Sequence, residues 1–523
     1  MEQQRRMKTV QQKFRMKGFT LTLDALKAAV AFIYQSSLDP IDALESLLAS
    51  TDDHPSLKSN MLDKTTVETI IAEVKGLDDH TQGRRVLQVV DAFNIPKICF
   101  DPARKILYTQ PGNFPLHGEA QAKASFYRER FLLLQQRILK DKYFAKPAFE
   151  GHVSSQFGSC EITPLQSLVG CTGNRWVMGV ILQVEDGRFH LEDMSAVVPV
   201  DISEAKITAG FFTENSVVLA EGELLVNGVF KVYTMGFPPL ERRQTSLRSA
   251  AGLSLLAGPP LTMEEFVRLE KLEKQAVNDM FVVLSDVWLD SEETMGKLEE
   301  VLDGYESMEV VPSLFVLLGN FCSYPCNLAS HDFAELREQF SRLGSLIASH
   351  PRIKDGSQFL LVPGPGDPGP SNVLPRPALP KYFTKEVLKH VPNAIFGSNP
   401  CRIRFYAQDL VVFREDLQYR MRRSCICTPS EEETNDPFEH LVVTMLHQNH
   451  LCPLPLTTQP INWSFDHALS LYPTPDTIIL GDRAAQNVIA YMGVTCFNPG
   501  SFANDGTFIA YRPATREVEV SAV

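Results

Sequence analysis

Four short and uninterrupted apolar segments most constrain the fold of this chain. The segments are Phe281–Leu284, Ser313–Leu318, Phe359–Val362 and Thr477–Leu480. A strand that alternates apolar and polar residues has one face in water, whereas a strand that is apolar throughout is covered on both faces. Segments with helical patterns alternate with these runs. Residues 281–523 are therefore predicted to form a layered α/β domain with buried strands.

The length and the composition predict several globular domains inside the cell. A chain of 523 residues is long enough for about three or four compact units. Hydrophobic residues make up 44% and charged residues 22%, and no apolar run approaches the roughly 20 residues that span a bilayer. The first residues lead into no signal-peptide core, and the scattered cysteines predict buried thiols in a reducing compartment. The net charge of -13 argues against a protein whose main task is to coat nucleic acid.

Residues 1–76 are predicted to form a small helical domain. Apolar residues such as Leu23 and Leu26 recur there at helical spacing, and Thr65 with Glu68 has the spacing of a capping box. Positive charges cluster at the start of this region. The candidates for contact with DNA or with an acidic partner are Arg5, Arg6, Lys13, Arg15 and Lys17. A solvated helix face is the alternative interpretation.

A small β-barrel is predicted over residues 161–240, after a linker with connecting helices over residues 77–160. Two hairpins indicate the barrel, and the second turns at Asn227–Gly228, a dipeptide that favours a type I′ turn. Short antiparallel strands over this length are typical of a five-stranded oligonucleotide/oligosaccharide-binding (OB) barrel. Residues 241–280 are then predicted to be a linker and a helix that begins with a capping box at Thr262.

Polar residues come directly after the buried strands of the α/β domain. In α/β folds, active-site residues lie at this edge of the sheet. These positions are Asp286, Asn320, Asp367 and Asp482. The segments around them resemble the strand-end motifs of the calcineurin-like metallophosphoesterases. That resemblance implies a phosphoesterase fold for residues 281–523, a fold whose active members hold two metal ions.

The sequence departs from the phosphoesterase motifs at the metal ligands. Trp288 stands where the first histidine belongs, Asn320 replaces the bridging aspartate, and Asp367 stands where a motif ends in histidine. Asp482 is followed by neither histidine of the final motif, and His450 is the one match to an isolated histidine. Two metal ions need a bridging carboxylate and several further ligands. We therefore predict an inactive site with no metal and no cofactor, and an active metal-dependent phosphodiesterase or nuclease is the alternative.

Two other kinds of site are indicated only weakly. Close cysteines occur as Cys322 with Cys326 and as Cys425 with Cys427, but neither pair has a second ligand pair at zinc-finger spacing. The predicted barrel contains aromatic residues that could stack on single-stranded DNA. They are Trp176, Phe189, Phe230 and Tyr233. The many carboxylates of this region argue against a single-stranded DNA-binding protein, which remains the second alternative.

An OB barrel followed by a phosphoesterase fold without its ligands resembles the B subunits of eukaryotic replicative DNA polymerases. The resemblance rests on short segments that occur in the order usual for that family. They are Ser285–Asp290, Leu318–Phe321, Val362–Pro368, Ser398–Ile403, Val412–Leu417 and Asn498–Phe502. In addition, Phe14–Leu21 opens a helical domain similar to the one on the B subunits of DNA polymerase epsilon. The resemblance therefore extends over nearly the whole chain.

The resemblance implies a non-catalytic scaffold subunit in the nucleus. The barrel and the inactive domain are then expected to bind the zinc-bearing C-terminal region of the polymerase epsilon catalytic subunit. The helical domain is expected to bind the GINS part of the replicative helicase, which would tether the leading-strand polymerase to the fork. Contacts with the other polymerase subunits would be indirect, contact with DNA weak or indirect, and contact with membranes absent.

Partner surfaces favour aromatic and arginine residues, and the segments near the former metal site contain several of them. The candidates for partner binding are Trp288, Phe321, Tyr324, Arg402, Arg404, Arg414 and Phe502. Replacement of both Arg402 and Arg404 by glutamate is expected to weaken the complex with the catalytic subunit while the chain stays folded.

Overall fold

The computed structural model describes most of the chain. The described residues are 2–35, 44, 47–48, 61–62, 67, 86–110, 112, 114–144, 160–185, 187–256, 262–326, 333–370 and 372–523. The chain divides into two compact units, residues 1–88 and residues 89–523. Within the described ranges, no helix is both long enough and apolar enough to cross a membrane.

Two helices and a short strand pair make up most of the described part of the first unit. Helix α1 spans Glu2–Met16 and helix α2 spans Leu23–Gln35. Strand β1 (Thr20–Leu21) pairs in parallel with β2 (Met61–Leu62), so the described residues are not purely helical. The apolar faces of both helices meet in one core, as their spacing predicts. The predicted capping box at Thr65 lies outside the described residues.

Strands also occur where only a linker and helices are predicted. Strand β3 covers Leu87–Asp91, and β4 (Lys97–Asp101) pairs with β5 (Ile106–Gln110) in a hairpin. Helix α3 (Ala120–Ile138) follows and lies within residues 77–160, where connecting helices are predicted. Strands of five residues give a periodic pattern that is too short to separate them from loops in the sequence.

The predicted OB barrel is confirmed. Its strands are β6 (Arg175–Glu185), β7 (Arg188–Glu192), β8 (Val197–Asp201), β9 (Lys206–Ile207), β10 (Val217–Leu224) and β11 (Phe230–Gly236). The strand order is β10–β6–β7–β8–β11, β10 also pairs with β11, and β9 is added to β11. The pairing of β10 with β11 shifts between Glu221 and Gly222, where β11 carries Tyr233 as an extra residue. A glycine is needed at position 222, because a Cβ atom there would lie 2.1 Å from the carbonyl oxygen of Lys231.

The turn between β10 and β11 differs from the prediction. A type I′ turn needs positive φ at both central residues, and of Asn227 and Gly228 only the glycine has one, at φ 81. The Asn227 side chain accepts a hydrogen bond from Val229 N–H at 3.1 Å, and Gly228 N–H donates to Leu225 O at 2.9 Å. The predicted type I′ turn is therefore wrong, because Asn227 caps the backbone with its side chain instead of adopting the left-handed conformation.

Two six-stranded mixed sheets form the α/β domain. The first contains β12 (Phe281–Ser285), β13 (Leu314–Leu318), β14 (Gln358–Val362), β15 (Ile395–Phe396), β21 (Thr507–Arg512) and β22 (Glu517–Ala522). The second contains β3, β16 (Cys401–Phe405), β17 (Gln408–Arg414), β18 (Thr477–Gly481), β19 (Asn487–Tyr491) and β20 (Val494–Asn498). Their orders are β15–β14–β13–β12–β21–β22 and β19–β20–β18–β17–β16–β3. The four apolar runs of the sequence are β12, β13, β14 and β18, which are buried as predicted.

Helices cover the two sheets. Helices α4 (Arg243–Ser249) and α5 (Met263–Gln275) precede the domain, and the capping box of Thr262 with Glu265 at the start of α5 is confirmed. The core of the first sheet includes side chains of α6 (Glu292–Glu306), α7 (Phe333–Ala348), α8 (Pro351–Gly356), α9 (Lys381–His390) and α12 (Phe502–Asp505). The core of the second includes α10 (Gln418–Arg423) and α11 (Pro437–Gln448).

Helix α11 joins the barrel to the α/β domain. Its Val443 packs in the barrel core. Gly210 N–H, at the barrel, donates to His440 Nδ1 at 2.9 Å, and Phe211 N–H donates to Thr444 Oγ1 at 2.7 Å. All these atoms are buried, so their hydrogen bonds would be costly to lose. The barrel and the α/β domain are therefore parts of one compact unit.

Candidate functional site at the strand ends

A buried ion pair lies where strands of the two sheets end. Asp286 directly follows β12, and Arg414 is the last residue of β17. Arg414 Nη2 lies 2.7 Å from Asp286 Oδ1, and the two side chains are 0% and 1% exposed. Desolvation of such a pair costs free energy unless each group has further partners. The contacts around Arg414 and Asp286 therefore decide what this site can do.

Every nitrogen of the Arg414 guanidinium has a partner. Nη1 donates to Asp416 Oδ1 at 2.8 Å and to Gly481 O at 2.9 Å, and Nε donates to Gly319 O. Burial alone would favour the neutral form, but the carboxylates of Asp286 and Asp416 raise the pKa of Arg414. The guanidinium is therefore a permanent positive charge among the strand ends.

Two arginines hold Asp286 as an anion. Its Oδ1 accepts from Arg414 and also from Asn320 N–H at 3.1 Å, and its Oδ2 lies 3.4 Å from Nε of Arg483, which is partly exposed. Burial would raise the pKa of Asp286, but the charge and the hydrogen bond of Arg414 lower it. The oxygens of Asp286 thus face cationic groups of the protein itself.

Asn320 and Asp367 fasten the loops after β13 and β14 to each other. Asn320 Oδ1 accepts from Gly366 N–H at 2.6 Å. Asp367 Oδ1 accepts from Phe321 N–H and its Oδ2 accepts from Gly364 N–H, both at 2.7 Å. Burial raises the pKa of Asp367 to about 6, against the opposite effect of the two N–H donors. Both side chains therefore serve as braces for backbone.

Asp482 braces a third loop, the one that leads into α10. Its Oδ2 accepts from Leu417 N–H at 2.7 Å and from Gln418 N–H at 2.9 Å. The next residue, Arg483, reaches Asp286 and also Asp416, at 3.7 Å. Sequence reasoning missed Arg483 and Asp416 as members of this network. The signal for both was their position two residues after the end of a buried strand.

His450 belongs to a different cluster. Its Nδ1 accepts from Cys452 N–H at 3.0 Å, and its Nε2 lies 3.3 Å from Oδ1 of Asp466, whose carboxylate also pairs with Arg130. Burial, followed by the charge of Arg130, lowers the pKa of His450. The structure thus corrects the assignment of His450 to the metal motif, because the ring links α3 to the 3₁₀ segment Trp463–Leu469 instead.

Four of the seven residues predicted to contact a partner are buried in the structure, so the prediction is wrong for them. Phe321, Phe502 and Arg414 are 0% exposed and Arg402 is 4% exposed. Buried side chains cannot touch a partner. Arg402 also lies 3.5 Å from the Asp409 carboxylate, so a glutamate at position 402 would oppose a second buried carboxylate. The expectation that the double glutamate variant stays folded is therefore withdrawn.

Three of the predicted partner contacts keep some accessibility. Tyr324 is 50% exposed on the loop after β13, whereas Trp288 and Arg404 are half-buried. The Trp288 backbone N–H donates to Asp286 O at 3.1 Å, so this residue lies beside the buried ion pair. Trp288 and Tyr324 both follow strands of the first sheet, while Arg404 lies within β16.

The predicted basic residues lie on α1 and directly after it. Lys13, Arg15 and Lys17 are exposed. The side chains of Arg5 and Arg6 lie outside the described part of the chain. The three exposed positions therefore lie where an acidic partner or solvent can reach them.

Two of the four candidate aromatic residues of the barrel are engaged in packing, whereas Tyr233 is 38% exposed. Phe230 is in the barrel core, and Trp176 packs edge-on against Phe144 with ring centroids 5.6 Å apart. Two of its cations are also engaged in ion pairs. These are Lys206 with Glu432 and Lys231 with Glu204, at 2.8 and 2.7 Å. This arrangement does not favour a single-strand binder, which needs exposed aromatic rings along a basic groove.

Two protein-family models match the chain. The model for the B subunits of DNA polymerases alpha and epsilon matches residues 281–488. The model for the OB-fold domain of proteins like DNA polymerase epsilon subunit 2 matches residues 120–239. The second match includes α3, which precedes the predicted barrel.

Relatives match over nearly the whole length. The chain is 54% identical to the B subunit of DNA polymerase epsilon from Arabidopsis thaliana, over 99% of this chain and 98% of the relative. It is 35% identical to DNA polymerase epsilon subunit 2 of Homo sapiens, over 97% of both chains. It is 32% identical to that subunit of Drosophila melanogaster, over 92% of both.

Proposed function

The chain belongs to the B-subunit family of DNA polymerase epsilon, and from this premise we propose that it is a scaffold whose phosphoesterase-like site has no hydrolytic activity. As a member of that family it is an accessory subunit of DNA polymerase epsilon in DNA replication. The buried pair of Arg414 with Asp286 is the observation that carries the proposed loss of activity. A guanidinium supplies positive charge there and has no lone pair with which to bind a metal.

The residues at the strand ends do not fit the two-metal centre that the phosphoesterase resemblance implies. A metal ligand needs an oxygen or nitrogen with a lone pair directed at the ion. Asp286 faces Arg414 and Arg483, and Asp367 and Asp482 accept from backbone N–H groups. Within the described ranges, no group of three or more histidine, cysteine, aspartate or glutamate side chains could hold a metal ion.

For the polymerase side, we propose that the barrel and the α/β domain bind the C-terminal region of the catalytic subunit. A scaffold must present a surface of fixed shape. The hydrogen bonds that Gly210 and Phe211 donate to side chains of α11 favour a fixed arrangement of the two folds. Tyr324, Trp288 and Arg404 are the contact residues proposed for this surface. Aromatic and arginine side chains contribute strongly to such interfaces.

For the helicase side, we propose that the N-terminal unit binds the GINS part of the replicative helicase. The exposed Lys13, Arg15 and Lys17 suit an acidic patch on that partner. DNA contact would then be weak or indirect, the other polymerase subunits would be reached through the catalytic subunit, and the site of action would be the nucleus.

Co-purification tests the proposed polymerase contact. The full chain and the C-terminal region of its own catalytic subunit are expressed together, and the complex is isolated through a tag on the catalytic part. Tyr324→Ala should lower the amount of complex. Tyr419→Ala is the matched control, because Tyr419 is 72% exposed and lies on α10. Equal recovery of both variants would remove Tyr324 from the proposed surface.

Metal analysis and hydrolysis of a bis-aryl phosphodiester test the proposed loss of activity on the same purified complex. A scaffold should show a stable complex, no stoichiometric metal on this chain and no turnover. Bound metal with turnover that Asp286→Asn abolishes would overturn the proposal.

A further inference from the structure

Two cysteines lie side by side on the loop that follows β13. Cys326 Sγ lies 3.7 Å from Cys322 Sγ. A disulfide bond has a sulfur–sulfur distance of about 2.05 Å, so the two atoms would need to approach by roughly 1.7 Å. Rotation of one or both side chains covers movements of this size. The residues between them are Ser323, Tyr324 and Pro325.

The backbone on both sides of the pair is anchored. Ser323 N–H and its hydroxyl donate to the Asp290 carboxylate at 3.0 and 2.6 Å. Cys326 N–H donates to Gly366 O at 2.7 Å. These bonds fix the chain next to Cys322 and at Cys326. The nearness of the two sulfurs therefore follows from a defined loop conformation.

The two thiols differ in accessibility. Cys322 is 1% exposed, whereas Cys326 is half-buried and can be reached from solvent. The hydrogen bond with Cys326, followed by burial, raises the pKa of Cys322. Cys326 is therefore the sulfur that a reagent in solution meets first, and Cys322 is placed behind it.

Two of the other partly accessible cysteines have different surroundings. Cys425 Sγ donates to Met421 O at 3.3 Å, and Cys171 Sγ donates to Ser167 O at 3.1 Å. Each of these sulfurs thus faces a backbone carbonyl, whereas Cys322 and Cys326 face each other.

We propose that Cys322 and Cys326 form a reversible intramolecular disulfide when the protein meets an oxidised low-molecular-weight disulfide such as oxidised glutathione. The Cys326 thiolate attacks one sulfur of the reagent, a mixed disulfide forms, and one glutathione thiolate leaves. Cys322 then attacks the Cys326 sulfur, the bond between Cys326 and glutathione breaks, and the Cys322 proton passes to the departing glutathione thiolate. Two protein thiols are oxidised, and one glutathione disulfide is reduced to two thiols.

The short ring makes this disulfide easy to reduce. The stabilisation that a disulfide gives grows with the length of the loop that it closes, and this loop contains only three intervening residues. The bond would also fix the loop that carries the half-exposed Tyr324. Oxidation would therefore act on the loop that carries Tyr324, which lies between the two cysteines.

Thiol mapping in a glutathione redox series tests the proposal. The full chain is equilibrated at increasing ratios of oxidised to reduced glutathione, quenched with acid, alkylated under denaturing conditions and digested for mass spectrometry. We expect the peptide that contains both cysteines to lose two hydrogens and its two alkyl groups together, and dithiothreitol to restore them. Cys171→Ser is the matched control and should keep this behaviour, whereas Cys326→Ser should abolish it.

Two results would overturn the proposal. One is full alkylation of both cysteines in the wild-type chain at the most oxidising ratio, and the other is a stable mixed disulfide on Cys326 that Cys322 does not resolve. The wild-type measurement decides the matter even if Cys326→Ser fails to fold. Because the readout is the mass of a peptide, it is independent of whether the chain binds the polymerase catalytic subunit.

Discussion

The side-chain amide of Gln448 pairs with both backbone groups of Val217. Gln448 Oε1 accepts from Val217 N–H at 2.8 Å, and Nε2 donates to Val217 O at 2.8 Å. Gln448 is the last residue of α11, and Val217 is the first of β10. Both residues are buried, at 5% and 4% exposure. One amide therefore supplies two hydrogen bonds that hold the barrel on the α/β domain.

Gln448→Leu should destabilise the second unit strongly. The substitution leaves the N–H and C=O groups of Val217 buried without these partners, at a cost of about 2–4 kcal/mol in the free energy of unfolding. Denaturation in guanidinium chloride measures it. Gln275→Leu is the matched control, because Gln275 is exposed at the end of α5. Equal midpoints for both variants would show that the amide pair adds nothing to stability.

Gly319→Ala should be the most damaging glycine substitution near the site. A Cβ atom on Gly319 would lie 1.9 Å from Asp367 Oδ2 and 2.4 Å from Gly364 N, and neither can move without breaking the bond between them. We expect a loss of at least about 3 kcal/mol in the free energy of unfolding.

The matched control for Gly319→Ala lies on a helix of the same domain. Gly304 lies inside α6 and has nothing within 4 Å of an added Cβ, so Gly304→Ala should stabilise the protein by about 0.5–1 kcal/mol. Thermal unfolding of the two variants gives shifts of opposite sign. A neutral Gly319→Ala would mean that the loops after β13 and β14 can separate without cost.

The sequence predicted the layers of the α/β domain because the relevant signals are local. Val283 and Val316 lie in runs that are apolar over Phe281–Leu284 and Leu314–Leu318, and a strand of that kind is covered on both faces wherever it occurs in a fold. The capping box at Thr262 is equally local, since its two partners are three residues apart. Both predictions are confirmed.

The site was only partly predictable because its energetics depend on distant residues. Asp286 and Arg414 are 128 residues apart in the chain, and only the pairing of the sheets brings them together. Arg414 was predicted to contact a partner because arginine is common at interfaces. The signal for burial was present in the apolar run Leu410–Phe413 just before it, which places the next residue at the end of a covered strand. For His450 the neighbouring sequence contains no such signal, so the sequence could not show that its ring lies beside Asp466.

The stability of the second unit should fall between about pH 6.5 and pH 4 because of His447. Its Nδ1–H donates to Pro238 O at 2.7 Å, and its Nε2 lies 2.9 Å from the Tyr491 hydroxyl. Burial lowers the pKa of His447 to about 4. The unfolded chain therefore binds the proton first, so the neutral ring contributes stability above about pH 6.5 that is lost as the pH falls to 4.

The measurement is the free energy of unfolding at a series of pH values in that window. One histidine with this shift accounts for about 3 kcal/mol over the window, and His447→Asn should reduce the pH dependence by that amount. The exposed His117→Asn variant is the matched control. His467, whose pKa burial also lowers to about 4, should leave a residual slope in His447→Asn. An unchanged slope in that variant would contradict the assignment.

Arg414→Met should be severely destabilising. It removes the cation from Asp286, which is 1% exposed, and leaves that carboxylate largely uncompensated inside the protein. Loss of one partner of a buried pair costs about 3–5 kcal/mol in the free energy of unfolding. Arg414→Lys should also be costly, because one ammonium group cannot reach Asp286, Asp416 and Gly319 O in the directions that the planar guanidinium serves.

A double-mutant cycle isolates the pair. In the Arg414→Met background, Asp286→Asn removes the carboxylate charge that has lost its cationic partner. The double variant should therefore be more stable than the sum of the two single effects predicts. The surface pair of Arg512 with Glu519 provides the control, and Arg512→Met should cost at most about 1 kcal/mol. Strict additivity in the first cycle, measured by chemical denaturation, would show that Arg414 stabilises the strand ends through packing alone and not by balancing the charge of Asp286.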